Sequence, residues 1–177
     1  MNGNLIGTLL GDAFFAAVAA LGFAVISNPP KRAIAISAVL AAVGHALRLY
    51  LLTHTSLGLP TASFFAAFTI GMFSMLAAKL IHCPAEIFSF PSLLPMIPGM
   101  YAYKTILSLL RFMEAKSPQV QQQLVVDIFQ NGLTSLFVMF ALVIGVSLPL
   151  FLFHKQSFMM TRLLKPVGKK RRSARRA

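Results

Sequence analysis

Five stretches of about twenty or more mostly apolar residues run through the 177-residue chain. Each is long enough to cross the roughly 30 Å hydrocarbon core of a bilayer as a helix. They fall near Leu5–Ile26, Ala33–Thr53, Pro60–Leu80, Ile87–Phe112 and Leu124–Phe153. Helix-breaking connections separate them: Asn28-Pro29-Pro30, Ser56-Leu57-Gly58-Leu59-Pro60, Cys83-Pro84, and Ser117-Pro118 ahead of a polar Gln119–Gln123 stretch. Charged residues make up 11% of the chain, against about 25% in a soluble domain. In lipid every backbone polar group must be satisfied within the protein, and helices do this locally. The pattern predicts an all-α polytopic membrane protein with about five transmembrane helices over residues 1–154. A basic tail over 155–177, expected to be disordered, follows. The fifth stretch is long enough to begin as a partly polar helix outside the bilayer.

The formal charge of +12 resembles a nucleic-acid signature until it is mapped. Nine of the 16 Lys and Arg lie from Lys155 onward, and no Asp or Glu lies there. Basic residues in the connections fall twelve on one side and two on the other, with Arg48 and Lys104 inside spans. The positive-inside rule then puts the N-terminus outside and the C-terminus in the cytoplasm. The tail reads as a topology lock that touches anionic lipid, with no base-reading motif beside it. The Met1-Asn2-Gly3-Asn4 start lacks a positive n-region, so the first apolar run reads as a retained span. The single cysteine, Cys83, excludes an internal disulfide.

One predicted span must be broken. Phe90-Pro91-Ser92-Leu93-Leu94-Pro95-Met96-Ile97-Pro98-Gly99-Met100 holds three prolines and a glycine. Each proline removes a backbone donor and clashes with the preceding turn. The freed carbonyls have no water to bond in hydrocarbon, so the break must pack in protein or line a polar cavity. A second half-helix starting near Met100 offers unbonded N–H groups of positive character, which suit carboxylates and phosphates. Interrupted helices near the midplane are a recurrent substrate-binding device in transporters. Pro95, Pro98, Gly99, Met100, Tyr101, Tyr103 and Lys104 are therefore candidate substrate-binding residues, together with Arg48. A plain proline kink with a packing role is the alternative.

Ionisable groups inside spans are costly and face a partner or a cavity. Asp12, His45, Arg48 and Lys104 are the four. With the first two spans as an antiparallel hairpin turning near residues 29 and 30, Asp12 and Arg48 reach the same depth. This predicts an Asp12–Arg48 contact, with His45 one turn deeper on the same face. Asp12, His45 and Arg48 read either as proton-coupling groups or as a buried ion pair that fixes helix register. Lys104 either snorkels outward or faces inward beside Tyr101 and Tyr103. Small residues crowd the first two spans, among them Gly7, Gly11, Ala16, Ala20 and Gly22, then Ser37, Ala38, Ala41 and Gly44, and read as helix-packing surfaces.

No Gly-x-Ser-x-Gly, P-loop or metal-spaced Cys/His set is present, so the sequence gives no sign of an enzyme, a metal site or a cofactor. Three stretches carry a family resemblance: Gly22-Phe23-Ala24 through Asn28-Pro29-Pro30-Lys31-Arg32-Ala33, Gly44-His45-Ala46-Leu47-Arg48, and Pro95-Met96-Ile97-Pro98-Gly99-Met100-Tyr101-Ala102-Tyr103. From about Leu5 to Phe153 the chain resembles the threonine/serine exporter (ThrE) family, and within it the small YjjB-type membrane subunit. The Pro-x-x-Pro-Gly-x-x-x-Tyr segment is the most specific part. The resemblance implies a multi-pass protein of the bacterial inner membrane. It would export small polar metabolites, either amino acids such as threonine or serine, or small dicarboxylates such as succinate. It also implies a larger membrane subunit as partner, fused in some members and separate in others. A homo-oligomer is compatible with the small-residue faces. A membrane scaffold that stabilises the partner without transporting is the other reading. The resemblance assigns no individual residue, so the candidates rest on their chemistry.

Overall fold

The computed structural model describes residues 2–27 and 29–152, with side chains from residue 6 onward. The basic tail lies outside the described residues. Six helices follow one another: α1 (Asn2–Ile26), α2 (Lys31–His54), α3 (Leu59–Ile81), α4 (Glu86–Leu93), α5 (Gly99–Glu114) and α6 (Pro118–Leu152), with a 3-10 turn at Leu94–Met96 between α4 and α5. Among the described residues there is no strand. Four helices are long and apolar enough to cross a membrane, and a fifth crossing is formed when α4, its 3-10 turn and α5 are taken together. That composite is bent by 48° at its break. The predicted fourth span is thus two half-helices, as its prolines require.

Local chemistry sets the helix ends. Ser27 bonds the Phe23 carbonyl through both its N–H and its Oγ, closing α1. Pro30 stands at the N-terminal boundary of α2 in extended backbone, and its carbonyl takes the Ala33 N–H at 2.7 Å. α3 begins after Gly58 with Pro60 in its first turn, where a missing N–H costs nothing. It ends at His82, which adopts the left-handed conformation (φ 59°) and sends its N–H to the Ala78 carbonyl. This is the C-terminal closure usually given to glycine.

α3 is the central helix, packing against α2, α4 and α6, while α1 lies on α2. α5 leans on α6 and has no comparable contact with another helix. Two apolar clusters fill the interior. One joins Ala66, Ala67 and Ile70 of α3 to Met96 and to Val138 and Leu142 of α6. The other joins Ala33 and Leu40 of α2 to Ala77 of α3 and Phe88 of α4.

Small residues do set the close approaches, but not all the expected ones. Ala16, Ala20 and Ala24 form the buried stripe of α1, opposite buried Ser37, Ala38 and Ala41 of α2. Gly7, Gly11 and Gly22 face open space instead, so the Gly7-x-x-x-Gly11 pair contributes no packing among the described residues. The tightest seam is α3 against α6. A Cβ on Gly145 would stand 2.6 Å from the Phe64 carbonyl oxygen, and one on Gly71 would stand 2.8 Å from that of Val146. Backbone meets backbone there, which only glycine permits.

Candidate functional site

The break is built by three prolines with different tasks. Pro91 is buried inside α4. Beside it the single Ser92 hydroxyl proton is shared between the Phe88 carbonyl, 2.6 Å from Oγ, and the Ser37 carbonyl of α2, 2.8 Å away, tying α4 to α2. Pro95 opens the 3-10 turn, where its absent N–H is tolerated. Pro98 (φ −79°, ψ 57°) ends the first half-helix in an inverse γ-turn, closed by the Gly99 N–H on the Ile97 carbonyl at 2.8 Å. The Pro98 carbonyl then takes the N–H groups of Tyr101 and Ala102 and starts α5. Among the first amides of α5, that of Met100 has no partner within the described residues.

The carbonyl of Met96 would meet the Met100 N–H in an unbroken helix. Here Arg48 replaces that amide, donating from its guanidinium at 3.1 Å. Carbonyl ends of helices carry partial negative charge, so a cation there is favoured. Met96 itself is fully buried, wedged so close to α2 that a Cβ on Gly44 would collide with its Cε at 2.7 Å. Three residues before Arg48, on the same face, His45 places Nδ1 at 3.1 Å from Asp12 Oδ2. Its ring is buried and lies beside the Pro95 backbone, while its Nε2 has no hydrogen-bond partner among the described residues.

The expected Asp12–Arg48 contact is therefore corrected. Asp12 pairs with His45, and Arg48 turns to Met96. The physical reason is the true midpoint of the hairpin. α1 stops at Ile26 and α2 starts at Lys31, a turn centred one residue earlier than expected. Asp12 and His45 are symmetric about that centre. Arg48 lies one turn further on, level with the break, where an unbonded carbonyl waits.

The structure brings together Asp12, His45, Arg48, Pro95 and Met96. Pro98 is buried at the turn, Tyr101 is half-buried, and Gly99, Met100, Tyr103 and Lys104 are exposed. Lys104 is exposed and makes no ion pair or hydrogen bond among the described residues. Gly99 has no positive φ, and a Cβ there would meet nothing within 4 Å. Its surroundings are open within this chain. Sequence reasoning did not find the roles of the Met96 carbonyl and the Ser92–Ser37 link. Both are backbone acceptors, which no side-chain pattern announces. Among the described residues no three His, Cys, Asp or Glu side chains gather as a metal site.

The family described as Threonine/Serine exporter, ThrE, matches residues 12–152. A protein of Haemophilus influenzae (strain ATCC 51907 / DSM 11121 / KW20 / Rd), described as an uncharacterized protein, is 35% identical over 148 residues. That alignment takes in 84% of this chain and 48% of the relative, so the chain spans about half the relative's length. No solved structure matches.

Proposed function

Because the chain belongs to the threonine/serine exporter (ThrE) family, we propose that it is a membrane subunit of a secondary exporter whose solute path runs beside the α4–α5 break. One observation carries this reading. Two half-helices that together are long and apolar enough to cross a membrane meet at a 48° bend, and the freed Met96 carbonyl is held by Arg48 of α2. Interrupted helices survive in lipid only where protein or a wet cavity satisfies them. The two ends of the break divide the work. The carbonyl end is closed against α2, and at the amide end the Met100 N–H is unpaired among the described residues.

A small anionic or zwitterionic solute fits the amide end. Its carboxylate takes the Met100 N–H and the positive pole of α5, while Lys104, just over a turn further on, supplies attraction. Threonine, serine and small dicarboxylates such as succinate share that carboxylate. The chain works with a larger membrane subunit, a reading supported by the relative that is about twice the aligned length. It sits in the bacterial inner membrane with the N-terminus outside, the C-terminus cytoplasmic and the basic tail on anionic lipid.

The test is efflux from vesicles preloaded with labelled threonine, serine or succinate, with and without the larger subunit. Loss of efflux in Lys104→Met and Gly99→Val, with insertion intact, is the expected result. Unchanged efflux in both rejects the site. A second reading, a scaffold that does not transport, is favoured by the pairing of Asp12 with His45 and of Arg48 with the Met96 carbonyl within this chain. In that case Lys104→Met and Gly99→Val both leave efflux intact.

A further inference from the structure

His45 stands between two acceptors. Asp12, when ionised, only accepts, so the 3.1 Å contact requires the imidazole to donate from Nδ1. A neutral ring then has a bare lone pair at Nε2, the nitrogen left without a partner in a residue that is 7% exposed. The backbone beside the ring belongs to Pro95. Proline has no N–H, so the polar group it offers is a carbonyl oxygen. A bare Nε2 and a carbonyl oxygen are both acceptors and cannot bond, so the buried Nε2 is left unpaired among the described residues. A proton on Nε2 changes this arrangement into donor and acceptor, with no other atom moving far.

We propose that His45 is a proton-binding site in which a proton added at Nε2 bonds the Pro95 carbonyl and latches the helix break to α1 and α2. In the protonated state His45 holds α1 through Asp12 and the 3-10 turn through Pro95, while Arg48 holds the next carbonyl, Met96. Two consecutive carbonyls at the negative end of one half-helix are then met by two cations from one face of α2. On losing the proton, the His45 strut is lost and Arg48 alone remains. The proton returns to the water that the released break admits.

The charged groups facing the ring are few. α1 presents Asp12 and α2 presents Arg48. The break presents backbone alone. α3 carries one titratable residue, Lys79, nine positions beyond Ile70, which is itself level with Gly44. The latch goes beyond the solute path and does not depend on which solute is carried.

The full chain in nanodiscs, without solute, tests this in two ways. In the first, histidine is 15N-labelled in a chain carrying His54→Gln, His82→Asn and His154→Gln, so that the ring observed is that of His45. A second ring N–H is expected to appear as the pH falls. In the second, Cys83→Ser is combined with spin labels at Val43→Cys and Met100→Cys. The ratio of two distance populations is expected to change by about tenfold per pH unit across the transition, as one proton requires. His45→Gln, whose amide gains no proton, is expected to abolish that change. A ring that keeps one N–H throughout overturns the proposal. So does a second N–H with unchanged distances, or a pH-dependent distance that persists in His45→Gln. If His45→Gln does not fold, the nitrogen spectrum of the chain that retains His45 still decides. Neither measurement involves solute, so failure here leaves the efflux reading standing, and failed efflux leaves this site untouched.

Discussion

Arg48 and Met96 are 48 positions apart in sequence, yet the guanidinium of one closes the backbone of the other at 3.1 Å. The contact explains how a proline-broken helix persists among lipid-facing neighbours. A carbonyl that the prolines strip of its amide partner is given a charged donor from the adjacent helix, a stronger bond than the one lost.

Removing that donor is expected to cost stability as well as transport. Arg48→Met leaves the Met96 carbonyl unpaired, a penalty of about 1–3 kcal/mol. The midpoint of thermal unfolding in detergent should fall, and efflux should drop at least tenfold. Arg48→Lys keeps a cation without the planar fork and should lie between the two. An unchanged unfolding midpoint in Arg48→Met would show that the bond does not hold the break.

The glycines divide into two classes with opposite expected outcomes. Gly145→Val and Gly71→Val drive a side chain into the facing backbone of α3 or α6, and both should fail to give a monodisperse folded protein on size-exclusion chromatography. Gly7→Ala, Gly11→Ala and Gly22→Ala meet open space and should be tolerated or gain up to about 1 kcal/mol from helix propensity. Gly44→Ala falls between, because the atoms it meets are the side-chain ends of Ile70 and Met96, which can shift.

Ser92→Ala removes one hydroxyl that reaches both the Phe88 and the Ser37 carbonyls. The expected loss is about 1 kcal/mol, the net worth of such a bond, seen as a lower unfolding midpoint. Ser92→Thr keeps the hydroxyl, but its extra methyl must fit a fully buried site. It should recover less than the full stability.

Gly99→Val separates folding from function. The open space at Gly99 predicts an unfolding midpoint close to that of the parent, with efflux strongly reduced where a solute must approach. Equal loss of both would show that the glycine serves packing in an assembly.

Much of the fold was legible. Hydropathy located the spans, because crossing about 30 Å of lipid imposes a length that soluble helices need not share. Pro95, Pro98 and Gly99 announced the break. Depth matching brought α1 and α2 together but paired Asp12 with Arg48. An error of one residue in a turn centre moves the partner by two along the facing helix, and in this hairpin His45 is the residue level with Asp12. Gly71 and Gly145 were not distinguishable from Gly7 and Gly11 by sequence, since each sits in an apolar helix. Which glycine a backbone approaches depends on crossing geometry that no local pattern carries.

α6 holds 35 residues, roughly 52 Å of helix, about twenty more than the hydrocarbon layer can cover. The surplus belongs at its polar beginning, where Gln119, Gln121, Gln122 and Gln123 crowd together. We expect Pro118–Asn131 to stand in water on one face of the membrane, so Gln122→Cys in a chain that also carries Cys83→Ser becomes a flag for sidedness. A membrane-impermeant thiol reagent reaches it in whole cells if the α5–α6 loop is extracellular, and only in inverted vesicles if it is not.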